Sequence, residues 1–234
     1  MERVIAAIYT GQGLAERLQP LFKEELGDCR IVSILDDSLI GEVIRSGGVT
    51  PGVTSRLVQY YRHAEDLGAD LIFNTCSSVG ETADWARPMF RTPIVKIDDA
   101  MAREAAGQYN RIGVVATLPT TLAPTRQLLL REAERQQRTD VQVVDALAQG
   151  AYQALTSGRP EEHDRLILEA ALSATGTVDV LVLAQGSMAR MEDRLRAETG
   201  LPVLSSPRFG VRALKEELAK LRAAGCQETT EKIG

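Results

Sequence analysis

The chain contains 234 residues, of which 44% are hydrophobic and 25% are charged, and its formal net charge at pH 7 is −5. This composition is typical of a globular protein with one large domain or two small ones, and it excludes disordered and fibrous proteins. The slight acidic excess provides no electrostatic surface for nucleic acid or for an anionic membrane, so we expect a small-molecule partner.

Short apolar runs alternate along the chain with longer segments of helical periodicity, which is the pattern of βα units that build a parallel sheet. Most of the runs are continuous rather than alternating, as expected where helices cover both faces of a sheet. The eight predicted strands are Arg3 to Tyr9, Arg30 to Leu35, Asp70 to Thr75, Pro93 to Ile97, Arg111 to Thr117, Val141 to Val144, Asp179 to Ala184, and Pro202 to Ser205.

The apolar run within the first strand, Val4 to Tyr9, is far too short to span a membrane. It also lacks the cleavage region of a signal peptide. We therefore expect a cytoplasmic protein with no membrane partner.

The chain contains an internal repeat of almost half its length. Residues of the same type recur 109 positions apart at equivalent places in the predicted elements, and the arginines that open the first strand of each half are 108 apart. The repeat predicts two copies of a four-stranded βα half. The repeated pairs are Pro51 and Pro160 at helix starts, Asp70 and Asp179 at strand starts, Pro93 and Pro202, Asp36 and Asp145 just beyond the second strands, Ser78 and Ser187, and Arg3 and Arg111.

We predict an α/β fold of two pseudo-symmetric, four-stranded parallel-sheet domains that face each other across a cleft. The first lobe is predicted to comprise residues 1–97 and 207–234, and the second lobe residues 98–206. If a pseudo-twofold axis relates the halves, loops after equivalent strands approach one ligand from opposite sides.

The three cysteines, at positions 29, 76 and 226, are too few and too widely spaced for a disulfide framework or a zinc site. The two histidines, His63 and His163, lie among charged residues of predicted helices, so we expect both on solvated helix faces. The sequence thus predicts no metal site, and its two histidines provide few candidates for a Ser-His-Asp triad.

A candidate nucleophile follows the third predicted strand. The segment Phe73-Asn74-Thr75-Cys76-Ser77-Ser78-Val79-Gly80 leads into a helix, which places Cys76 at a strand-to-helix turn. Free N–H groups at such a turn favour a thiolate, and Ser77 and Ser78 can donate hydrogen bonds to a carboxylate there. The alternative is a small buried hydrophobic residue, as most free cysteines are.

The segment Asp70-Leu71-Ile72-Phe73-Asn74-Thr75-Cys76-Ser77-Ser78 resembles the first catalytic-cysteine segment of the cofactor-independent aspartate, glutamate and hydantoin racemase superfamily. Arg111-Ile112-Gly113-Val114-Val115-Ala116-Thr117, followed by Thr120, is similar to that family's strand and Ala-Thr-x-x-Thr loop, and Thr10-Gly11-Gln12-Gly13 resembles its first loop. The resemblance covers most of the chain and includes the duplication. It implies the racemase fold, no cofactor, and a substrate carboxylate bound near Thr10, Thr117 and Thr120.

The second half departs from the family at the position equivalent to Cys76. The racemases carry a second cysteine there, so that one thiol removes the α-proton and the other returns a proton on the opposite side. Here the segment ends Leu183-Ala184-Gln185-Gly186-Ser187-Met188. A carboxamide does not titrate near neutral pH, so Gln185 cannot be the second acid or base. With Gly186 and Ser187 it can orient a carboxylate or an enolate oxygen, or else it is a polar loop residue at a degenerate site.

Two further departures affect the substrate that we expect. Tyr9 stands where glutamate racemases carry an acidic residue, and Ser187 stands where they carry a histidine. The small residues of Gln185-Gly186-Ser187-Met188 are closer to those of hydantoin-type members. These differences favour a substrate other than a free amino acid.

Three interpretations stay open at this point. The first is a cofactor-independent isomerase in which Cys76 alone acts on a small carboxylate or cyclic amide, by proton abstraction or thiolate attack, with decarboxylation as an alternative outcome. The second is a racemase with an unusual partner acid, and the third is a non-catalytic carboxylate-binding protein. The oligomeric state also stays open, although helix-covered α/β domains of this size are often homodimers.

Overall fold

A computed structural model describes the backbone of residues 2–231 and the side chains of residues 2–223, so the side chain of Cys226 lies outside the described part. The strands are β1 Val4–Tyr9, β2 Arg30–Leu35, β3 Leu71–Asn74, β4 Ile94–Lys96, β5 Arg111–Ala116, β6 Gln142–Leu147, β7 Val180–Leu183 and β8 Val203–Ser205. The helices are α1 Leu14–Leu26, α2 Ser38–Ser46, α3 Pro51–Asp66, α4 Gly80–Ala86, α5 Asp99–Gln108, α6 Pro119–Arg135, α7 Ala151–Thr156, α8 Pro160–Ala174, α9 Glu192–Thr199 and α10 Ser206–Glu231. Short 3-10 segments lie at Ser77–Val79, Arg87–Met89 and Gly186–Met191.

The strands form two separate four-stranded sheets with the same topology. Their orders are β2-β1-β3-β4 and β6-β5-β7-β8, and all neighbouring strands pair in parallel. The predicted fold class, two pseudo-symmetric parallel-sheet units, is therefore confirmed. Across residues 2–231, no helix combines the length and the hydropathy needed to cross a bilayer.

Each of the eight predicted strands is present, and most boundaries differ by one residue. The largest difference is in β6, which was expected to end at Val144 and extends to Leu147. This strand lies at a sheet edge and exposes Asp145. Its apolar pattern is therefore interrupted although its backbone pairing continues.

The duplication appears as matched ion pairs at the starts of equivalent strands. Arg3 and the backbone N–H of Val4 both contact the carboxylate of Asp70. In the second sheet, Arg111 donates hydrogen bonds from its backbone N–H and its guanidinium to Asp179. The same type of ion pair thus ties β1 to β3 and β5 to β7.

The predicted repeat pair Asp36 and Asp145 is not structurally equivalent. Asp36 follows the end of β2, whereas Asp145 lies inside β6 and is opposite Val114 of β5. The cause is a longer connection in the second half, where α6 has 17 residues and α1 has 13. The 109-residue spacing is restored at the third strands, which open with Leu71 and Val180.

Helices cover both faces of each sheet, and the last helix returns to the first sheet. Helix α10 packs against α1, β3 and β4. Its residues Val211, Leu214 and Leu218 join the apolar cluster around Ile5 and Phe73. Helix α5 belongs instead to the apolar cluster of β5, β7 and α6. The carboxyl ends of the central strands stay uncovered, which leaves space for a site.

Candidate active site

A cleft of about 620 Å³ lies where the carboxyl ends of β1, β3, β5 and β7 meet. Both halves of the chain contribute to its lining, as the repeat predicts. The lining includes eight of the nine site residues identified in the sequence: Thr10, Cys76, Ser77, Ser78, Thr117, Gln185, Gly186 and Ser187.

The ninth residue, Thr120, does not line the cleft, and Thr121 lines it instead. Helix α6 begins at Pro119, so consecutive residues of its first turn point in different directions. The hydroxyl of Thr121 lies 2.7 Å from the hydroxyl of Ser78. Ser78 therefore forms a buried bridge between the two halves as well as part of the cleft wall.

A chain of hydrogen bonds that starts in α3 holds the Cys76 turn. The side chain of Thr50 caps this helix by accepting a 3.1 Å hydrogen bond from the N–H of Val53. The buried Tyr61 of α3 donates a 2.9 Å hydrogen bond to Asn74 Oδ1. Asn74 Nδ2 in turn donates to the backbone oxygen of Cys76 at 3.1 Å. The helix thereby fixes the backbone of the turn that carries the thiol.

The thiol of Cys76 is half-buried in the cleft wall. Burial is the largest influence and raises the pKa of the thiol, and the charge of Asp98 raises it further. Hydrogen bonding with Thr10 and with the N–H groups of Ser78 and Val79 lowers this pKa. The N–H groups of the turn thus act on the pKa in the direction that the sequence predicts, but the net direction is upward. Burial removes the thiol from water, and this raises its pKa by more than the N–H groups lower it.

Gln185 occupies in the second half the position that Cys76 occupies in the first. Two hydrogen bonds join its side chain to Thr117: the Thr117 N–H donates to Oε1 at 2.9 Å, and Nε2 donates to Thr117 Oγ1 at 2.7 Å. Thr117 and Thr10 follow the equivalent strands β5 and β1, so the Gln185–Thr117 pair occupies in the second half the positions that Cys76 and Thr10 occupy in the first. The amide orientation is thus fixed at the cleft wall.

Several apolar residues of the cleft were not identified from the sequence. Ile40 comes from α2, and Tyr152 and Leu155 come from the equivalent helix α7. Leu14 and Leu118 complete this part of the wall at the starts of α1 and α6. The sequence could have indicated these residues only by their position early in helices that follow a strand, since helices that follow adjacent parallel strands begin at the same edge of a sheet.

The cleft carries little formal charge. Of the described residues that line it, Asp37 is the only carboxylate, and none is lysine, arginine or histidine. Asp37 accepts a 2.6 Å hydrogen bond from Gln12 Nε2. An anionic group in the cleft would therefore be held by hydroxyl, amide and backbone N–H groups rather than by a cationic side chain.

A cluster of charged side chains lies behind the Cys76 turn. Lys96 is only 2% exposed, and its Nζ lies 2.9 Å from Asp84 and 3.0 Å from Asp99. Arg87 contacts the same two carboxylates. Arg131 of α6 reaches Asp84 at 3.3 Å, so the cluster connects the helices of the two halves.

The two histidines lie outside the cleft. His63 is exposed, as expected, but the prediction for His163 is wrong because this residue is buried on the inward face of α8. Its Nδ1 lies 2.8 Å from Asp164, and Arg190 lies nearby. The part of the chain that the structure describes contains no group of three or more His, Cys, Asp or Glu suited to a metal ion.

One protein family and several solved structures are similar to this chain. The model of the Asp/Glu/Hydantoin racemase family matches residues 8–214. Glutamate racemase from Francisella tularensis subsp. tularensis SCHU S4, in complex with D-glutamate, has a similar fold, with a TM-score of 0.75 and 14% identity over 94% of this chain and 82% of that chain. Allantoin racemase from Klebsiella pneumoniae gives a TM-score of 0.64 and 19% identity over 94% of this chain and 89% of that chain.

A decarboxylase shares the fold as well. Unliganded arylmalonate decarboxylase gives a TM-score of 0.57 and 17% identity over 92% of this chain and 92% of that chain. No curated protein matches the chain significantly. At these identities the solved structures show a shared fold and leave the reaction undetermined.

Proposed function

The chain belongs to the Asp/Glu/hydantoin racemase family, and we propose that it is a cofactor-independent isomerase that acts on a small carboxylate or cyclic amide through Cys76. The observation that best supports this proposal is the single thiol at the carboxyl end of β3, in the wall of a cleft whose other polar groups are mostly hydroxyls and amides. Gln185 takes the place of a second thiol and binds rather than titrates.

The chemistry requires a base and a means of stabilising negative charge on oxygen. The Cys76 thiolate takes the proton from the carbon next to the substrate carbonyl; the electron pair of the broken C–H bond forms a C=C bond, and the π pair of the carbonyl moves onto its oxygen. When the carbonyl forms again, the Cys76 thiol returns its proton to a carbon on the same side of the substrate, which completes a one-sided proton shift. Thr117 Oγ1 already accepts a hydrogen bond from Gln185, so its own hydroxyl proton is free to be donated to that oxygen. The second N–H of the Gln185 amide is available for the same purpose.

The lining of the cleft supports a proposal for the substrate class. A substrate with one carboxylate, or a neutral cyclic amide, fits a wall without cationic side chains better than a dicarboxylate does. The apolar wall formed by Ile40, Leu118 and Leu155 accommodates an uncharged substituent. We include cytoplasmic location, a homodimeric assembly and independence from metals and cofactors in the proposal.

Exchange of substrate hydrogen with deuterated water tests the proposed reaction. The protein is incubated with single enantiomers of amino acids, monocarboxylates and hydantoins, and deuterium at carbon is followed by NMR together with chiral analysis. One base predicts exchange that is confined to one enantiomer, and Cys76→Ser should abolish it. Exchange that Cys76→Ser retains would contradict the role of the thiol.

Decarboxylation is the second candidate, and the single thiol favours it specifically. Loss of CO₂ from a malonate-type substrate leaves an enolate that needs one proton from one side, which one thiol can supply. The test is release of CO₂ from substituted malonates and chiral analysis of the product. Release without any deuterium exchange into monocarboxylates would favour the decarboxylase.

A binding protein without turnover gives a third pattern in the same experiments. It would show a ligand-dependent rise in melting temperature with carboxylates, but neither deuterium exchange nor CO₂ release. This outcome would overturn both catalytic proposals. The fold and the cleft would then serve binding only.

A further inference from the structure

A second cavity, of about 250 Å³, lies on the α1 face of the first sheet and has no part in the function proposed so far. Its walls come from Tyr9 at the end of β1, from α1, from the turn after α1 and from the edge strand β2. No described residue lines both this cavity and the cleft. The two are therefore separate sites in the same half of the chain.

The position of Tyr9 connects this cavity with a departure identified in the sequence. Tyr9 stands where glutamate racemases carry an acidic residue, yet it does not line the cleft. Its side chain belongs to the apolar cluster that contains Leu18 and Phe22 of α1, and it is only 1% exposed. Because Tyr9 lines the second cavity, its small exposed part faces that cavity. The residue at this position thus contributes to the second cavity instead of the cleft.

The equivalent region of the second half is filled by side chains. The ladder registers make Ile31 of β2 equivalent to Val143 of β6, and Ser33 equivalent to Asp145. Val143 is buried, and Arg126 of α6 lies 2.8 Å from Asp145, whereas Ile31 is only partly buried and Ser33 is exposed. Helix α6 packs against β6, while α1 packs mainly against α10. The cavity is therefore particular to the first half and does not follow from the repeated fold.

One positive charge borders the cavity. Lys23 is the only charged residue among the described residues that line it. The two acidic residues that follow Lys23 in α1 pair instead with basic residues of α10: Glu24 with Arg208, and Glu25 with Arg212 and Lys215. Lys23 itself forms no ion pair within the part of the chain that the structure describes. Its ammonium group is thus available to an anion in the cavity.

The size and the other lining residues restrict the ligand further. A water molecule in the liquid occupies about 30 Å³, so the cavity has room for a ligand of about eight to ten non-hydrogen atoms. Phe22, Ile31 and Tyr9 provide apolar and aromatic surface, which favours a ring. Gln19 and Ser33 provide neutral hydrogen-bond donors, and neither adds a charge that would repel an anion.

We propose that this cavity is a second ligand site, separate from the cleft, and that it binds a small monocarboxylate with an apolar ring. The carboxylate pairs with Lys23 and accepts hydrogen bonds from Gln19 and Ser33, while the ring lies against Phe22 and Ile31. Neither Cys76 nor Gln185 borders the cavity, so the inference does not rest on the proposed reaction.

Cys29 gives the test a local signal, because it lines this cavity and not the cleft. In a protein with Cys76→Ser and Cys226→Ser it is the remaining thiol, and its alkylation by iodoacetamide is followed by mass spectrometry. Burial raises the pKa of Cys29, so the reaction is run at alkaline pH, where benzoate keeps its charge. Benzoate at about ten times its Kd should slow alkylation by about tenfold. Benzamide has the same shape without the charge, and it should protect the thiol far less.

Lys23→Met, added to the same protein, should weaken protection by benzoate by about tenfold, since it removes one charge-assisted hydrogen bond. Lys220→Met is the matched control, because it removes an exposed lysine that does not line the cavity. Each variant is compared with and without benzoate, so a change in the intrinsic reactivity of Cys29 cancels. Lys23 is exposed, and circular dichroism checks that its replacement leaves the fold intact. No protection by benzoate, equal protection by benzamide, or full protection in Lys23→Met would overturn the inference.

Discussion

Gln185 and Thr117 are joined by two hydrogen bonds, of 2.9 Å and 2.7 Å, that use both ends of the glutamine amide. The amide oxygen faces the backbone N–H of Thr117 and the amide nitrogen faces its hydroxyl, which fixes the orientation of the side chain. The position equivalent to a thiol in the first half therefore holds a fully oriented hydrogen-bonding group. This relationship determines what a substitution at Gln185 should do.

Gln185→Cys should introduce racemisation. The new thiol would lie at the carboxyl end of β7, as Cys76 lies at that of β3, so a proton could be returned on the opposite side of the substrate carbon. We expect deuterium exchange into both enantiomers, measured by NMR and chiral chromatography. Gln185→Ser is the matched control, because a hydroxyl of similar size does not titrate near neutral pH. One-sided exchange in Gln185→Cys would contradict the proposed opposition of the two positions.

Alkylation of Cys76 should be slow at neutral pH and should increase well into the alkaline range. The pKa of this thiol is raised, so at any pH below it the thiolate fraction is smaller than that of an exposed cysteine. Rates with iodoacetamide from pH 6 to 11, compared with those of a short unstructured cysteine peptide, measure the difference. A half-maximal rate at lower pH than that of the peptide would contradict the raised pKa.

Lys96→Met should destabilise the protein by about 3 kcal/mol, since it removes the charge that Asp84 and Asp99 share in a buried cluster. Methionine retains most of the apolar stem, so the loss is mainly electrostatic. Urea denaturation monitored by circular dichroism gives the free energy of unfolding. The control Lys220→Met removes an exposed lysine that pairs with Glu217, and it should change this free energy by less than about 0.5 kcal/mol. Equal effects of the two substitutions would contradict the importance of burial.

Gly210→Ala should destabilise the protein by about 1–3 kcal/mol through overpacking. A Cβ at this position of α10 would lie 2.7 Å from the backbone oxygen of Ile97, which cannot move aside as a side chain could. Gly41→Ala in α2 is the matched control, because its Cβ would approach only the tip of Arg45, at 3.4 Å. There the higher helix propensity of alanine should stabilise by about 0.5–1 kcal/mol. Melting temperatures of both variants would move together if packing against Ile97 were unimportant.

The sequence predicted the topology well because strands and repeats leave local signals. Asp70 and Asp179 open equivalent strands and form equivalent ion pairs, which a fixed spacing can indicate. Asp145 failed as a marker because an insertion in the preceding connection changes the spacing without changing the fold. The division into lobes of residues 1–97 with 207–234 and 98–206 stays a prediction.

The candidate site was predictable only where residues directly follow a strand. Cys76 and Gln185 do so, and their positions come from the sequence alone. The upward shift in the thiol pKa depends on burial by residues that are distant in the chain, and Tyr152 reaches the cleft only because α7 starts at the same sheet edge.

The position of α10 has a consequence for how the protein is made. Val211, Leu214 and Leu218 complete the apolar cluster around the first sheet, yet they leave the ribosome after the whole of the second half. The segment that carries the second sheet emerges earlier and has its own apolar clusters. During translation, part of one face of the N-terminal sheet therefore stays uncovered until α10 is made, while the later half can already fold. Synthesis that stops before residue 211 would leave the part of that face beside α1 exposed to chaperones.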